Sequence, residues 1–171
     1  MSAMPSFLLY VLLRLIRFSK FKGRSLTSGE VQLCRQVFGD LIRYSDVYVM
    51  NHPYLPWQAR DVIMAPSGFI HARAFHFKAD YSKESLSYQA LFIHEMAHIL
   101  QYQKNINVLL KGALLQSAYF LSFKRYNPYA YTLEANKSYW DYNIEQQGDI
   151  ARDIFLKKIP NIILNDSAHS M

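Results

Sequence analysis

The sequence predicts an α+β fold, and three observations carry that reading. Apolar residues recur at helical spacing around His94-Glu95-Met96-Ala97-His98, which makes this stretch a buried helix. Short, partly β-branched runs lie before it, at 46–50 and 62–72, punctuated by proline and glycine turns that suit a small sheet or hairpin. A second long helical pattern, at 133–157, follows it and carries several carboxylates.

A chain of 171 residues is one domain by size, and at 51% hydrophobic and 15% aromatic it can bury a core. We divide it into a basic amphipathic leader (1–24), a folded domain (25–160) and a C-terminal tail (161–171). The net charge is +6, and Arg14, Arg17, Lys20, Lys22 and Arg24 of the leader account for much of it. No nucleic-acid motif accompanies these cations, so they read as a solvated arm and no nucleic-acid partner is expected. The apolar run at 7–18 is too short to cross a bilayer of about 30 Å. Its positive charges follow the apolar run, the reverse of a secretory signal. A peripheral membrane contact of this leader, a contact with a carrier protein and a first core helix all stay open. Cys34 is alone, so no internal disulfide can form.

Thr27-Ser28-Gly29-Glu30 has the form of a capping box and predicts a helix to about Phe38, ended by Gly39. A short strand is expected at 46–50, then a loop through Asn51-His52-Pro53-Tyr54-Leu55-Pro56, where two prolines forbid regular pairing. Residues 62–65, the turn Pro66-Ser67-Gly68 and residues 69–72 predict a hairpin, with Phe75 and Phe77 as a possible extension. The motif helix is expected from a cap within 82–87 to about Lys104. Residues 108–123 are strongly apolar and predict a buried helix or a hydrophobic lid, followed by the aromatic loop Tyr126-Asn127-Pro128-Tyr129-Ala130-Tyr131. The second long helix, 133–157, is expected to bend at Gly148 and stop before Pro160, leaving a tail frayed at its end.

The spacing His94-x-x-x-His98 places both imidazoles on one helix face, where they can meet one metal ion. Glu95 is rotated about 100° away, free to take a proton from water. One zinc per chain is the expected cofactor, since a catalytic zinc takes three protein ligands and keeps an open position. The third ligand is sought downstream among Glu134, Asp141, Glu145, Asp149, Asp153, Asp166 and His169. Glu145 is favoured, with Asp149 one turn on as a carboxylate able to accept from a ligand histidine, and Glu134 is the runner-up. Tyr126, Tyr129, Tyr131, His71 and His76 are candidate oxyanion donors. Residues 67–70 are expected to form the upper rim of a peptide cleft.

The runs Leu91-Phe92-Ile93-His94-Glu95-Met96-Ala97-His98, Gln101-Tyr102-Gln103 and Asp141-Tyr142-Asn143-Ile144-Glu145-Gln146-Gln147 resemble the zincin-like metallopeptidase domains of VgrG-type spike and Rhs-related proteins of type VI secretion systems. The resemblance covers residues 25–157. It implies a zincin-like α+β fold and an antibacterial effector toxin. Such an effector is cytoplasmic in the producer, is exported without a signal peptide, and cleaves peptide bonds in the target's periplasm. It also implies His94, His98 and Glu145 as zinc ligands, Glu95 as catalytic acid/base, a peptide or protein substrate, and a secretion spike and an immunity protein as partners. Two alternatives stay beside it: a resident intracellular zinc peptidase, and a non-catalytic zinc-stabilised binding module.

Overall fold

The structure, a computed structural model, describes residues 23–168 apart from Trp57. The leader's apolar run and most of its cations lie outside the described residues, as does His169. The elements run β1 (Gly23–Ser25), α1 (Ser28–Phe38), β2 (Tyr48–Met50), β3 (Phe69–His71), α2 (Leu86–Gln103), α3 (Val108–Leu121), α4 (Ile144–Phe155) and α5 (Ile162–Ala168). The architecture is α+β, with β1 antiparallel and β3 parallel to the central strand β2.

The first helix forms as its sequence dictates. The Thr27 hydroxyl accepts from the Glu30 amide and the Glu30 carboxylate accepts from the Thr27 amide, closing the capping box. Glu30 is fully buried and also accepts from Arg24, at 2.7 and 2.8 Å, and from the Tyr81 amide. Arg24 and strand β1 therefore belong to the folded body, which begins ahead of the expected boundary at residue 25.

Other expectations are corrected. The hairpin at 62–72 reduces to one antiparallel bridge between Met64 and His71, because residues 69–71 pair in parallel with the free edge of β2. The Gln58 carboxamide accepts from the Tyr54 amide and donates to the Val62 carbonyl, holding the segment between as a loop. Phe75 lies in a single turn of 3₁₀ helix rather than in a strand. The second long helix starts at Ile144, not near residue 133. Asn143 caps it by accepting from the amides of Glu145 and Gln146, while Ser138 and Asp141 close a separate box around a 3₁₀ turn. Such side chain–backbone bonds compete with helix continuation. The helix then runs through Gly148 uninterrupted. Finally, the segment after Pro160 is helical: Ile163 is buried in the core and the Asn161 carboxamide donates to the Val37 carbonyl at 2.9 Å.

The core lies between α1, α2, α4 and one face of the sheet, built from Phe38, Val49, Ile70, Phe92, Met96, Leu100 and Ile150. Helix α2 packs chiefly on α4 and is buried almost continuously from Ala90 to Gln101. A helix enclosed on most sides has to be apolar on most sides, which accounts for the density of apolar residues around the motif. Helix α3 does the opposite. It is the more apolar of the two, yet only Val108 is buried. Among the described residues, no helix is long and apolar enough to cross a membrane.

Candidate metal centre

His94 and His98 sit one turn apart on α2, with ring centroids 5.0 Å apart. Helix α4 packs across them and presents Glu145 from its first turn. The Glu145 Oε2 lies 3.6 Å from His94 Nε2 and 3.8 Å from His98 Nε2. One donor atom from each of the three residues falls within 4.8 Å of the others, the spacing of a site for a single cation.

Hydrogen bonds behind the rings decide which nitrogen faces the cluster. His94 Nδ1 lies 3.0 Å from Asp149 Oδ1, and a carboxylate oxygen accepts, so Nδ1 carries the proton. His98 Nδ1 lies 2.9 Å from Gln101 Oε1. The Gln101 Nε2 donates to the Ile144 carbonyl and to Gln147 Oε1, so its oxygen must be the atom facing the ring. Both histidines thus turn Nε2 toward Glu145. Gln147 in turn donates to the Tyr142 carbonyl, tying the network to the loop before α4. Asp149 is also held by Arg152 Nη1 at 2.7 Å.

The electrostatics favour a cation. Burial lowers the pKa of His94, but the bond to Asp149 and the nearby carboxylates of Glu145 and Glu95 outweigh it and raise the ring to about 10. Burial and its charged neighbour lower His98. Burial raises Glu145, but the bond from His94 and the positive field of the histidines bring it below the usual carboxylate range. Glu95 is pushed up to about 8 by burial, and its Oε2 is buried without a hydrogen-bond partner. A carboxylate left with a free oxygen inside a protein costs several kcal/mol unless a charge or a ligand offsets it.

A cavity of about 360 Å³ opens over the cluster. Its floor holds His94, Glu95, His98 and Glu145; residues 62–66 form one wall and α3 the other. The upper rim is therefore 62–66, not the expected 67–70, because Ile70 is buried in the sheet and Gly68 packs on Tyr102. Of the expected oxyanion donors, Tyr129 lines the cavity. Tyr131 instead donates to Asp153 at 2.7 Å, and Tyr126 is exposed on the loop. His71 packs against His52 and Tyr54, and His76 against Phe75 and Tyr88, all outside the cavity lining. Glu134 is exposed and pairs with Lys137 at 2.6 Å. Asp141 caps a turn and Asp153 binds Lys158, so neither joins the cluster.

Gln101, Gln147 and Arg152 support the site yet were not singled out for that role by pattern. Gln101 carried a signal: it lies three residues after His98 on the same helix face, an amide in an otherwise apolar stretch.

Fold and cluster together define the class, an α+β domain with two histidines and a carboxylate converging beneath a cleft. No protein-family model matches the sequence. The chain is 51% identical over 137 residues, 80% of its length, to the type VI secretion system spike protein VgrG2b of Pseudomonas aeruginosa, of which it spans 13%. It superposes on the effector domain of Pseudomonas aeruginosa VgrG2b with a TM-score of 0.73 and 46% identity, covering 86% of this chain and 82% of that domain. The chain belongs to the family of the VgrG2b effector domain.

Proposed function

We propose that this chain is a zinc metallopeptidase of the gluzincin type, deployed as an antibacterial type VI secretion effector in the periplasm of target cells. The observation that carries the enzymatic part is the convergence of His94, His98 and Glu145 beside the buried, unpaired carboxylate of Glu95. Two imidazoles and one carboxylate form a donor set that suits catalytic zinc, which would be held by His94, His98 and Glu145. When bound, zinc supplies Lewis acidity, which acidifies water and polarises a carbonyl.

The chain's own residues perform the rest. Asp149 and Gln101 hold the Nδ1 protons of the histidines and keep both Nε2 atoms toward the cluster. The Glu95 carboxylate takes a proton from the attacking water, and after carbon–nitrogen cleavage it returns that proton to the leaving amine. Tyr129, on the cavity wall, is the hydroxyl available to donate to the developing oxyanion. The apolar wall of Val62, Ile63, Val108 and Leu109 excludes water and receives an extended peptide. Kinship with a spike-borne effector domain supports the delivery route and a spike protein as partner.

Purified protein tests the reading. It should hold about one zinc per chain and cleave a denatured protein substrate, and Glu95→Ala should keep the zinc and lose the cleavage. Undiminished hydrolysis by Glu95→Ala would end the assignment of the base. Toxicity on export to the periplasm, absent on cytoplasmic expression, tests the site of action.

A further inference from the structure

We infer that the outer face of α3 docks on an anionic phospholipid bilayer, seating the cleft at the membrane surface. Helix α3 has two faces with different duties. Val108, Leu109, Gly112, Ala113 and Gln116 wall the cavity. On the opposite side Leu110, Leu114 and Leu121 stand in line at helical spacing, and all are exposed, Leu114 by 62% and Leu121 by 80%. Phe123, just beyond the helix, adds a further apolar side chain and is 90% exposed. A helix apolar on all sides belongs in a core or at an apolar boundary, and a continuous exposed apolar surface marks an interaction site.

The backbone holds this surface outward at a cost. Phe123 and Lys124 adopt φ of 53° and 64°, two consecutive left-handed residues with side chains. Each costs about 1–2 kcal/mol relative to glycine. The Lys124 amide donates to the Tyr119 carbonyl and closes the helix end in that conformation. The core gains nothing from it, since Phe123 remains almost fully exposed.

Charge selects the occupant. No aspartate or glutamate occurs between Glu95 and Glu134, whereas Lys104, Lys111, Lys124 and Arg125 fall in that span. All four are exposed and none makes an ion pair among the described residues. A second copy would bring the same cations to the contact and so repel, and the chain's own apolar run at 7–18 carries Arg14 and Arg17 with no acidic residue to offset them. Exposed leucine and phenylalanine, on a segment whose lysines and arginine make no ion pair among the described residues, fit the interface of an anionic bilayer, with the helix lying in its plane. At 14 residues α3 is about 21 Å long, too short to span.

The experiment uses the full chain carrying Leu121→Cys labelled with an environment-sensitive fluorophore; Cys34 is fully buried in the fold and does not compete. A second protein is labelled at Asp40→Cys, at the end of α1. Vesicles of phosphatidylglycerol mixed with phosphatidylcholine should blue-shift and brighten the label at 121 but not that at 40, and pure phosphatidylcholine should do so far more weakly. The pair Lys124→Gln and Arg125→Gln should weaken partitioning about 30-fold. Vesicle binding with no change at position 121 would assign the contact to residues 1–24 and overturn the inference. So would equal response to neutral vesicles, or a response without lipid that grows with protein concentration as the mass doubles. None of these readouts depends on hydrolysis or on zinc.

Discussion

Replacing Gln101 with methionine isolates what orients His98. The two side chains are close in volume, so packing is largely kept and the effect reports hydrogen bonding. In the native chain the fully buried Gln101 accepts from His98 Nδ1 and donates to the Ile144 carbonyl and to Gln147 Oε1. Methionine leaves the His98 N–H and the Gln147 oxygen unpaired, at about 1–3 kcal/mol each. The sum, about 2–6 kcal/mol, is a large share of the 5–15 kcal/mol that holds a domain together. Near the middle of that range the melting midpoint should fall by roughly 10 °C for a chain of this size. The histidine, free to rotate, should also bind zinc about 10- to 100-fold more weakly. Thermal unfolding followed by circular dichroism, with and without chelator, reads the first effect, and competition with a chromophoric chelator reads the second. A midpoint within about 2 °C of the parent together with zinc affinity within about twofold would refute the claim that Gln101 positions His98.

Asp149→Ala should weaken zinc binding by about 10- to 100-fold through loss of the His94 bond, whereas Glu134→Ala should leave it unchanged; the same chelator competition ranks them. Glu30→Ala should destabilise by about 3–5 kcal/mol in urea unfolding, because Arg24 and the Tyr81 amide lose a buried partner. Glu95→Gln tests a pH effect in chelator-treated protein. The Glu95 carboxyl is raised from 4.5 to about 8 by burial, so the stability of its protonated form is fully present below 4.5 and is lost as pH rises towards 8. Glutamine cannot ionise, so the variant should be close to wild type at pH 5 and gain on it as pH rises to 9; a constant difference in melting midpoint would contradict this.

The motif helix was legible because two independent patterns coincide there. The histidine spacing follows from 3.6 residues per turn, and the apolar run follows from enclosure on most sides. The first helix was legible from Thr27 and Glu30, whose bonds are local in sequence. Glu145 and Asp149 could be singled out as a pair on one helix face, with a ligand histidine as the partner of Asp149, but not which histidine. Asp149 meets His94 across 55 residues, and only the packing of α4 on α2 brings them together.

Where sequence reading went astray, a long-range or competing contact was responsible. Residues 69–71 alternate as a strand should, and the pattern says nothing about which edge they join; β2 takes them in parallel. Residues 133–143 have helical composition, but the caps at Ser138 and Asn143 divide them. Residues 162–168 look like a loose tail until α1 offers a surface on which Ile163 can be buried.

Local chemistry therefore determined the helices that carry functional groups, their caps and the identity of the metal-ligand candidates, because those depend on neighbours three or four residues away. The tertiary structure alone decided which tyrosine lines the cavity, which glutamine orients His98, and that an apolar helix faces outward. Those outcomes depend on which surfaces meet, and hydrophobicity drives burial without specifying the partner.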